Sequence, residues 1–493
     1  MIMSRFTDIQ LNALVPTPKK LQIEDGDLIL APYISTDYEP FAAFANTFCE
    51  SVEKIFSKKS IATVAKGGIA LNYNACLPEN AYTFDTLGET AVLCASSREG
   101  IAYAVSTLTN LVSYEDGELK IRRVHIEDAP DKDYRTLMVD LGREWHPAHL
   151  IYRYIDVCFM FKIKYLHLHF MDDPIYTLPS RVLPDVTKNS PHYTFEDIES
   201  FRAYANARGV SIIPEIEVPG HAIALIKAYP DLFGLRIEGD ASAAEIITEQ
   251  GDKVSTDGIL CAGNKESLDA VLALINEVCD LFPESKYINV GCDEANINAW
   301  NYCTECKKYM KEHNQKNVEE MYCEFVGKIT SAAIARGKTP IVWEGFPKEY
   351  SYLVPKETVV LSWENHYNFT EDLLADGFRI INASWQPLYI IPAYDRGWAC
   401  EDIYAWNVYN WQHWWVNSRA TINPVNVAPT EQVIGAQICS WESTYDQEIN
   451  KILDSLSTMS ERTWNVRRVC SHETFAARLR PFIMRTARLI QDR

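Results

Sequence analysis

The residues YLHLHF at Tyr165–Phe170 make a short, mostly apolar run of the kind that forms a buried β-strand. Similar runs recur along the chain, separated mostly by longer segments with helical periodicity. The eight strand candidates are Thr136–Leu141, Tyr165–Phe170, Ser211–Ile216, Tyr287–Gly291, Pro340–Trp343, Val359–Trp363, Arg379–Ala383 and Ile434–Ser440. Continuous apolar strands of this kind are typical of parallel sheets that helices cover.

Eight strands that alternate with helices over about 330 residues predict a (β/α)8 barrel. An open, doubly wound sheet is the alternative arrangement. No glycine-rich phosphate-binding loop follows the first strand, however, so the sequence favours the barrel.

The part of the chain before the barrel also alternates strand-like and helical runs. The strand-like runs include Leu28–Leu30 and Ala91–Cys94, and the helical runs are Phe41–Phe56 and Gly100–Val112. The turn-forming residues Asp128-Ala129-Pro130 then lead into a new pattern. We therefore expect a small α+β domain over residues 1–130 and the barrel over residues 131–493.

Charge and composition exclude several classes of partner. The 493 residues include 47 Lys and Arg against 67 Asp and Glu, so the net charge is −20. This charge repels nucleic acid phosphates and anionic membrane surfaces, and we expect neither as a partner. No run approaches the roughly 18 apolar residues of a membrane-spanning helix, and Met1–Asp8 lacks the apolar core of a signal peptide. We expect a cytoplasmic protein, with its 13 scattered cysteines present as reduced, buried thiols.

The carboxyl ends of the predicted strands carry one recurring set of side chains, namely carboxylates, tryptophans and an arginine. In a barrel these ends form a single rim, where catalytic groups lie. The residues at the eight ends are Arg143; His169, Asp172 and Asp173; Glu215, Glu217 and His221; Asp293 and Glu294; Trp343 and Glu344; Trp363 and Glu364; Asn382 and Trp385; and Trp441 and Glu442. Carboxylates beside aromatic rings predict a sugar-binding site.

Two acids, Asp293 and Glu294, follow each other at the end of the fourth strand. Neighbours on a regular strand point to opposite faces, so both can reach one ligand only if the chain bends there. Glycoside hydrolysis needs a protonated acid and a second group that acts at the anomeric carbon, and adjacent acids favour distinct roles. In the alternative interpretation, Asp293 caps the next helix and Glu294 alone is functional.

Several motifs, taken together, resemble glycoside hydrolase family 20, the β-N-acetylhexosaminidases. They occur in the order and at the distances of that family, from Asp140 to Trp464. The motifs are Asp140-Leu141-Gly142-Arg143 (Asp-x-x-Arg in the family), His167-Leu168-His169-Phe170-Met171-Asp172-Asp173 (His-x-His-x-x-Asp-Asp), Pro214-Glu215-Ile216-Glu217-Val218-Pro219-Gly220-His221 (Pro-Glu-x-Asp-x-Pro-Gly-His), Gly291-Cys292-Asp293-Glu294 (Gly-x-Asp-Glu) and Ser460-Glu461-Arg462-Thr463-Trp464 (Ala-Glu-Arg-x-Trp). The segment before the barrel resembles the small domain that precedes the family's barrel.

The resemblance implies an exo-acting, retaining enzyme without a protein nucleophile, because the substrate's own 2-acetamido oxygen attacks the anomeric carbon. By motif, Asp293 would stabilise the acetamido nitrogen, and Glu294 would act as acid and then as base. His221 would link Asp172 to Glu294, although an ordinary loop histidine is the alternative. The implied partner is a glycan or glycoconjugate with terminal β-linked GlcNAc or GalNAc. No cofactor and no metal is implied.

The same resemblance assigns substrate-binding roles. Arg143 would donate a fork of hydrogen bonds to sugar hydroxyls, and it could equally form a salt bridge to a rim carboxylate. The acetamido group and the sugar ring would be enclosed by Trp343, Trp363 and Trp441. The alternative is that these tryptophans belong to the core. Tyr389 would donate to the acetamido carbonyl.

Two departures from the family pattern concern the hydroxyls at C4 and C6. Many members have Trp-x-Glu on the last strand, but this chain has Trp441-Glu442-Ser443, so the acid is displaced to Glu442 or replaced by Ser443. Bacterial members often have Tyr-Leu-Asp, but this chain has Tyr389-Ile390-Ile391, and the nearest Asp is Asp395. The sequence thus leaves open whether GlcNAc or GalNAc is preferred, with GalNAc as the hypothesis.

Two further features have alternative interpretations. The Trp-rich segment 398–415 either covers the mouth of the site or is packed for structural reasons. The pair Cys303-x-x-Cys306 has the spacing of half a zinc site, and free thiols are favoured because no second pair lies at metal spacing.

Two other functions remain as alternatives to the substrate-assisted enzyme. One is a conventional retaining glycosidase that uses Glu294 with Glu215 or Glu217. The other is a carbohydrate-binding barrel without catalysis. The presence of Asp293, Glu294 and His221 argues against the second.

Overall fold

A computed structural model describes residues 14–31, 34–57, 68–237, 245–247, 253–391 and 398–491 of the chain. The first part is a mixed sheet with two long helices, Ala42–Phe56 and Arg98–Leu111. Its seven strands are Lys20–Leu30, Ile34–Thr36, Ile69–Tyr73, Tyr82–Asp85, Ala91–Ala95, Ser113–Glu115 and Glu118–Asp128. The first and last of these pair antiparallel, with Leu21 opposite Ile126.

The helix Arg98–Leu111 is buried from Gly100 to Leu111. Ser97 caps its start, because the Ser97 side chain accepts from the backbone N–H of Gly100 at 3.1 Å. The helix contacts the sheet on one side and the barrel helix Ala148–Met160 on another. A helix enclosed by two layers must be apolar on most faces, which explains its Ile, Ala, Val and Leu content.

The second part is a closed barrel of eight parallel strands. They are Tyr134–Asp140, Tyr165–His169, Ser211–Glu215, Tyr287–Asn289, Thr339–Trp343, Val359–Ser362, Arg379–Asn382 and Val433–Ser440. Neighbours pair in chain order, and the last strand closes the barrel by pairing with both the first and the seventh. Each predicted strand agrees with an observed one to within two residues at either end. The prediction of a (β/α)8 barrel after an α+β domain is confirmed, and the open sheet is wrong because the eighth strand has partners on both edges.

Helices surround the barrel, and short elements extend its loops. The helices are Ala148–Met160, Phe195–Asn206, Ile223–Ala228, Pro230–Phe233, Lys265–Leu281, Thr304–Glu312, Val318–Ala335, Thr370–Ala375, Trp385–Leu388, Cys400–Ala405, Arg419–Ile422, Tyr445–Trp464 and His472–Gln491. The 3-10 turns of this part are Pro184–Thr187, Ile297–Asn301 and Lys348–Leu353, and a further one, Glu39–Phe41, lies in the first part of the chain. The short strands are Glu245–Ile247, Lys253–Ser255, Tyr389–Ile390, Asn410–Trp411 and Val425–Asn426.

The interior of the barrel is filled by side chains from alternate strand positions, among them Tyr134, Met138, Ile213 and Ile341. Because all eight strands run parallel, their carboxyl ends meet at one face of this core. None of the helices in the described part of the chain is both long and apolar enough to cross a bilayer.

Candidate active site

A cavity of about 180 Å³ opens at the carboxyl ends of the barrel strands. The structure places eight of the predicted site residues around it: Arg143, Asp293, Glu294, Trp343, Trp363, Tyr389, Trp441 and Glu442. Glu364, Trp385 and Ile391 complete the lining. A larger cavity of about 370 Å³, bounded by Gln386 and Asn410 among others, has none of the predicted site residues in its wall.

The loop after the fourth strand turns both acids toward this cavity. The strand ends at Asn289, and Gly291, Cys292 and Glu294 then adopt left-handed backbone conformations with φ of 70°, 78° and 44°. Such conformations are uncommon for residues other than glycine, and they break the alternation of a strand. Asp293 therefore does not point away from Glu294, and the N-cap of the next helical turn is Asn296 rather than Asp293.

Asp293 is a buried carboxyl group with a free acceptor. Its side chain is 8% exposed, and Oδ1 has no hydrogen-bond partner among the described residues. Burial raises the pKa of Asp293 to about 6. The charge of His221 opposes this rise, and the charges of Glu294 and Glu215 add to it. An unsatisfied buried oxygen is costly, so the site favours a ligand that brings a hydrogen-bond donor to Asp293.

His221 lies between two carboxyl groups. Its Nδ1 is 3.2 Å from Asp172 Oδ1, and its Nε2 is 3.5 Å from Glu294 Oε2. Burial by itself would lower the pKa of His221, but hydrogen bonds to Asp172, Asp173 and Glu294 raise it well above its ordinary value. The predicted link from Asp172 through His221 to Glu294 is thus present as a chain of contacts.

Asp172 is held by several donors besides His221. Its Oδ2 accepts from His169 Nε2 at 2.8 Å and lies 2.8 Å from Arg143 Nη2, and its Oδ1 accepts from the backbone of Asp173 at 2.6 Å. Although burial opposes it, hydrogen bonds from His169 and His221 hold the pKa of Asp172 well below its usual range. Asp172 is therefore a fixed negative charge behind His221.

Arg143 forms the expected salt bridge to a carboxylate at the rim and also lines the cavity. Its guanidinium contacts Asp172 and donates to Asp140 at 3.3 Å, and it also lines the cavity 5.0 Å from the centre of the Trp441 ring. Burial opposes ionisation, but Asp172, Asp140 and Glu442 raise the pKa of Arg143 further above its ordinary value. The arginine is therefore a permanent cation at the wall of the cavity.

Aromatic side chains enclose the cavity between the acids and the rim. Trp343 lies 6.1 Å from Trp363 and 5.7 Å from Trp441, measured between ring centres. Tyr389 is parallel to Trp363 at 6.3 Å and stacks on Trp385 at 4.5 Å. The three predicted tryptophans are at most 8% exposed and also line the cavity, so they are both core and wall.

Two buried carboxyl groups lie beneath the cavity and do not line it. Glu215 accepts from His169 Nδ1, Asn289 Nδ2 and Trp343 Nε1, each at 2.5 Å. Although burial opposes it, the charges of His169 and His167 hold the pKa of Glu215 well below its usual range. Glu217 has no hydrogen-bond partner among the described residues, and burial followed by the charge of Asp293 raises its pKa well above the usual range.

Glu364, which lies at a predicted strand end but received no individual role from the sequence, is also a residue of the site. It is 6% exposed, lines the cavity, and its Oε2 has no hydrogen-bond partner in the described part of the chain. Burial raises the pKa of Glu364 to about 9, and the charges of Glu294, Glu344 and Asp293 add to this. At neutral pH Glu364 is therefore a neutral acid that can donate a hydrogen bond.

Glu344 has a different task at the preceding strand end. It accepts from the backbone N–H groups of Asn365 at 2.9 Å and His366 at 2.7 Å, and it is fully buried. Burial raises the pKa of Glu344 to about 7, although these hydrogen bonds act to lower it. Glu344 thereby fastens the loop that follows Glu364.

At the rim, Glu442 lines the cavity and Ser443 does not. Glu442 has a left-handed backbone with φ of 53°, and its backbone N–H donates to Asp140 Oδ2 at 3.2 Å. The Ser443 hydroxyl is buried and donates to the Trp441 carbonyl at 2.7 Å. Of the two possibilities for the displaced acid, the geometry favours Glu442. Asp395 lies outside the described residues.

None of the described tryptophans of the Trp-rich segment lines the cavity that holds Asp293 and Glu294, although Trp406 lines the larger one. Trp411 is fully buried and donates to the Ser362 carbonyl at 3.0 Å, and Trp406 donates to the Asn410 carbonyl at 3.0 Å. Trp414 packs edge-on against Trp385 at 5.4 Å and so supports the wall from behind.

Side chains of metal-binding types meet in three places around the site, each including His169 or His221. In each place the histidine is already hydrogen-bonded to a carboxylate, as in the Asp172–His221 pair.

Fold and site together define a class of protein. It is a (β/α)8 barrel in which two adjacent acids and several aromatic side chains line a cavity at the carboxyl ends of the strands. Comparison with known families agrees. The model described as "Glycosyl hydrolase family 20, catalytic domain" matches residues 133–467, and the one described as "Glycosyl hydrolase family 20, domain 2" matches residues 12–129. The chain belongs to glycosyl hydrolase family 20.

Individual relatives agree with this assignment. The β-hexosaminidase of Vibrio furnissii is 29% identical over 380 residues, which cover 72% of this chain and 60% of that protein. The β-hexosaminidase of Akkermansia muciniphila is 30% identical over 299 residues, which cover 57% of this chain and 58% of that protein. The chain thus spans about three fifths of the length of these two relatives.

Solved structures share the fold at low sequence identity. A family 20 exo-β-N-acetylglucosaminidase from Vibrio harveyi, in complex with N-acetylglucosamine, superposes with a TM-score of 0.81 at 21% identity, covering 97% of this chain and 77% of that one. A β-N-acetylhexosaminidase from Bacteroides fragilis gives a TM-score of 0.77 at 21% identity, covering 94% and 93%.

Proposed function

We propose that the protein is an exo-acting, retaining β-N-acetylhexosaminidase that removes terminal, non-reducing β-linked N-acetylhexosamine from glycans or glycoconjugates. One observation carries the proposal. Asp293, whose buried Oδ1 has no hydrogen-bond partner among the described residues, lines an aromatic-walled cavity together with Glu294. An acetamido N–H is the donor that this oxygen lacks, and Glu294 lies beside it to act on the glycosidic oxygen.

In the first half of the reaction, the acetamido oxygen of the substrate attacks the anomeric carbon as the bond to the leaving group breaks. Glu294 gives its proton to the leaving oxygen, and Asp293 accepts a hydrogen bond from the acetamido nitrogen as that nitrogen gains positive charge. The bicyclic oxazolinium ion that forms is stabilised by the negative charge of Asp293 in a site of low dielectric.

In the second half, Glu294 takes a proton from water, and the water oxygen attacks the anomeric carbon and opens the ring. Two inversions at that carbon give net retention. His221, 3.5 Å from Glu294, hydrogen-bonds the carboxylate in its basic form, and the Asp172 charge behind it holds the imidazole in place. The side chains of Trp343, Trp363 and Trp441 keep bulk water away from the intermediate.

A conventional retaining mechanism has less support. It requires a second carboxylate across the anomeric carbon from Glu294, and the candidates were Glu215 and Glu217. Both lie beneath the cavity, and Glu215 is occupied by His169, Asn289 and Trp343. A purely binding barrel would also have no need to keep the contact between His221 and Glu294.

The experiment compares matched 4-nitrophenyl glycosides with and without the 2-acetamido group. We expect hydrolysis of β-GlcNAc and β-GalNAc, negligible hydrolysis of β-glucoside and β-galactoside, and a β-configured first product by NMR. A thiazoline analogue of the bicyclic intermediate should inhibit more tightly than the parent sugar, because it resembles the transition state. Efficient turnover of the acetamido-free glycosides would refute substrate assistance, and no turnover of any would refute the enzyme.

We further propose that β-GalNAc is accepted at least as well as β-GlcNAc. The family's usual acids for the C4 and C6 hydroxyls are missing at Ser443 and Ile391, and a mismatched buried hydroxyl costs about 1 to 3 kcal/mol where such acids are present. Glu442 is the remaining rim acid among the described residues that line the cavity from the last strand. The ratio of kcat/KM for the two nitrophenyl glycosides decides this, and a GlcNAc preference above about tenfold would show that Glu442 or another acid reads the equatorial hydroxyl.

A further inference from the structure

Three cysteines from two segments of the chain converge beside the part of the chain that follows Asp293 and Glu294. Cys261 comes from one segment, Cys303 is the N-cap of the helix Thr304–Glu312, and Cys306 lies in the first turn of that helix. The Cys261 Sγ lies 3.5 Å from the Cys303 Sγ and 3.7 Å from the Cys306 Sγ. All three residues are fully buried. From the sequence, free thiols are favoured because no second pair lies at metal spacing, but the fold adds a third sulfur that is 42 positions from Cys303 in sequence.

The sulfur positions match the coordination shell of a thiophilic metal. A tetrahedral zinc ion with Zn–S bonds of about 2.3 Å places its sulfur ligands about 3.8 Å apart. The two measured separations, 3.5 and 3.7 Å, are close to that edge length and far from the 2.05 Å or so of a disulfide bond. Among the described residues, no His, Asp or Glu joins the three sulfurs as a fourth ligand.

The backbone around the cluster is arranged to stabilise thiolates. The backbone N–H of Arg236 donates to Cys303 Sγ at 3.3 Å. The backbones of Cys306 and Asn264 also hydrogen-bond the sulfurs of Cys303 and Cys261. Backbone N–H groups directed at a sulfur favour its thiolate form, which is the form that binds a metal. An ordinary buried cysteine in apolar surroundings stays a neutral thiol and does not require such donors.

The loops are also held together without the metal, so the sulfurs are preorganised. Gly263 packs on the backbone of Cys306, since a Cβ there would lie 2.5 Å from the Cys306 Cα. The Cys261 N–H donates to the Phe233 carbonyl at 2.7 Å, and Ile237 forms a β-bridge with Cys303. Three thiols that their own backbone already holds in place need little further ordering to bind an ion.

We propose that Cys261, Cys303 and Cys306 bind one structural Zn²⁺ ion. Binding replaces three S–H bonds with three Zn–S bonds and releases three protons to solvent, and a water or another small ligand takes the fourth position. The three cysteines lie outside the cavity that holds Asp293 and Glu294. The zinc proposal therefore does not depend on the proposed function.

The ion would connect the two loops that bring His221 and Glu294 into contact. Cys261 follows Leu260, whose N–H donates to the Pro219 carbonyl at 3.0 Å, two residues before His221. Cys303 lies nine positions after Glu294. A metal at the three sulfurs therefore braces the His221 loop against the Glu294 loop from outside the cavity.

The test measures zinc in the full chain, purified without chelators from zinc-supplemented cells. We expect about one zinc per chain in the wild type and in Cys279→Ser, which removes a buried thiol outside the cluster, and much less in Cys261→Ser and Cys303→Ser. Cobalt reconstitution should give a thiolate-to-cobalt charge-transfer band with tetrahedral d–d absorption.

The wild-type measurements keep the proposal testable if a serine variant does not fold. A wild-type chain that contains no zinc and takes up neither zinc nor cobalt would overturn the proposal. So would a disulfide between Cys261 and Cys303 found by peptide mapping of the unreduced protein, or equal zinc content in the folded cluster variants and in Cys279→Ser.

Discussion

His221 Nε2 lies 3.5 Å from Glu294 Oε2 at the edge of the barrel cavity. The two residues belong to loops after the third and fourth strands, and both have left-handed backbones, with φ of 49° and 44°. Neither residue would face the other from a regular strand end. The contact therefore depends on local backbone strain that the surrounding loops hold in place, which is common at functional sites.

The first prediction concerns the acid. Glu294→Gln should keep the fold but lower kcat at least about a hundredfold on substrates with poor leaving groups, because the amide cannot donate the proton. Activated aryl glycosides should lose less. The exposed carboxyl of Glu349 gives a matched control, and Glu349→Gln should leave kcat unchanged. An unchanged kcat for Glu294→Gln on a natural glycan would show that another group is the acid.

The second prediction concerns pH. Burial raises the pKa of Asp293 to about 6, and the mechanism needs its ionised form. Activity should therefore be present above pH 6 and fall about tenfold per pH unit below it, as the carboxylate is protonated. Asp293→Asn should be much less active and should lack this acidic limb. The measurement is the pH profile of kcat/KM, and an acidic limb that persists in the variant would assign it to another group.

The third prediction concerns stability and Glu364. Its pKa is raised from 4.5 to about 9 in the folded state, so unfolding releases a proton between these values. The contribution of the neutral acid to stability is complete below about pH 4.5 and is lost progressively as pH rises through 9. Glu364→Gln cannot titrate, so its stability relative to wild type should improve with pH, by up to about 1.4 kcal/mol per pH unit.

Urea unfolding at several pH values between 6 and 9 measures this difference in the free energy of unfolding. The control is again Glu349→Gln, which replaces an exposed carboxyl outside the cavity. A pH-independent offset for Glu364→Gln would mean that Glu364 is already ionised in the folded protein.

The fourth prediction concerns Gly345, which lies against the catalytic loop without lining the cavity. A Cβ at Gly345 would overlap the Cys292 carbonyl oxygen and lie 3.1 Å from the Asp293 Cα. Gly345→Ala should therefore shift the Asp293-Glu294 turn, lower kcat, and destabilise the protein by about 1 to 3 kcal/mol. Gly88→Ala meets nothing within 4 Å and should do neither. Normal kcat in Gly345→Ala would show that the turn tolerates displacement.

Much of the architecture could be predicted from the sequence because it depends on local patterns. The strand Tyr165–His169 is a short apolar run followed by polar residues, and its partner Ser211–Glu215 has the same form. Parallel strands buried on both faces must be apolar, so their limits show in the sequence to within two residues. The position of Asp293 and Glu294 at a strand end likewise follows from the order of residues alone.

Contacts between distant residues and the directions of side chains at the strand ends depend on the tertiary structure, because local sequence patterns do not contain them. The meeting of Cys261 with Cys303 joins residues 42 positions apart in the chain, so no local pattern contains it. The choice of Glu442 over Ser443 as the rim acid depends on one left-handed residue, which turns its side chain into the cavity. Side-chain direction at a strand end is set by such single backbone angles and by long-range packing, whereas the identity and order of the residues set only which groups are available.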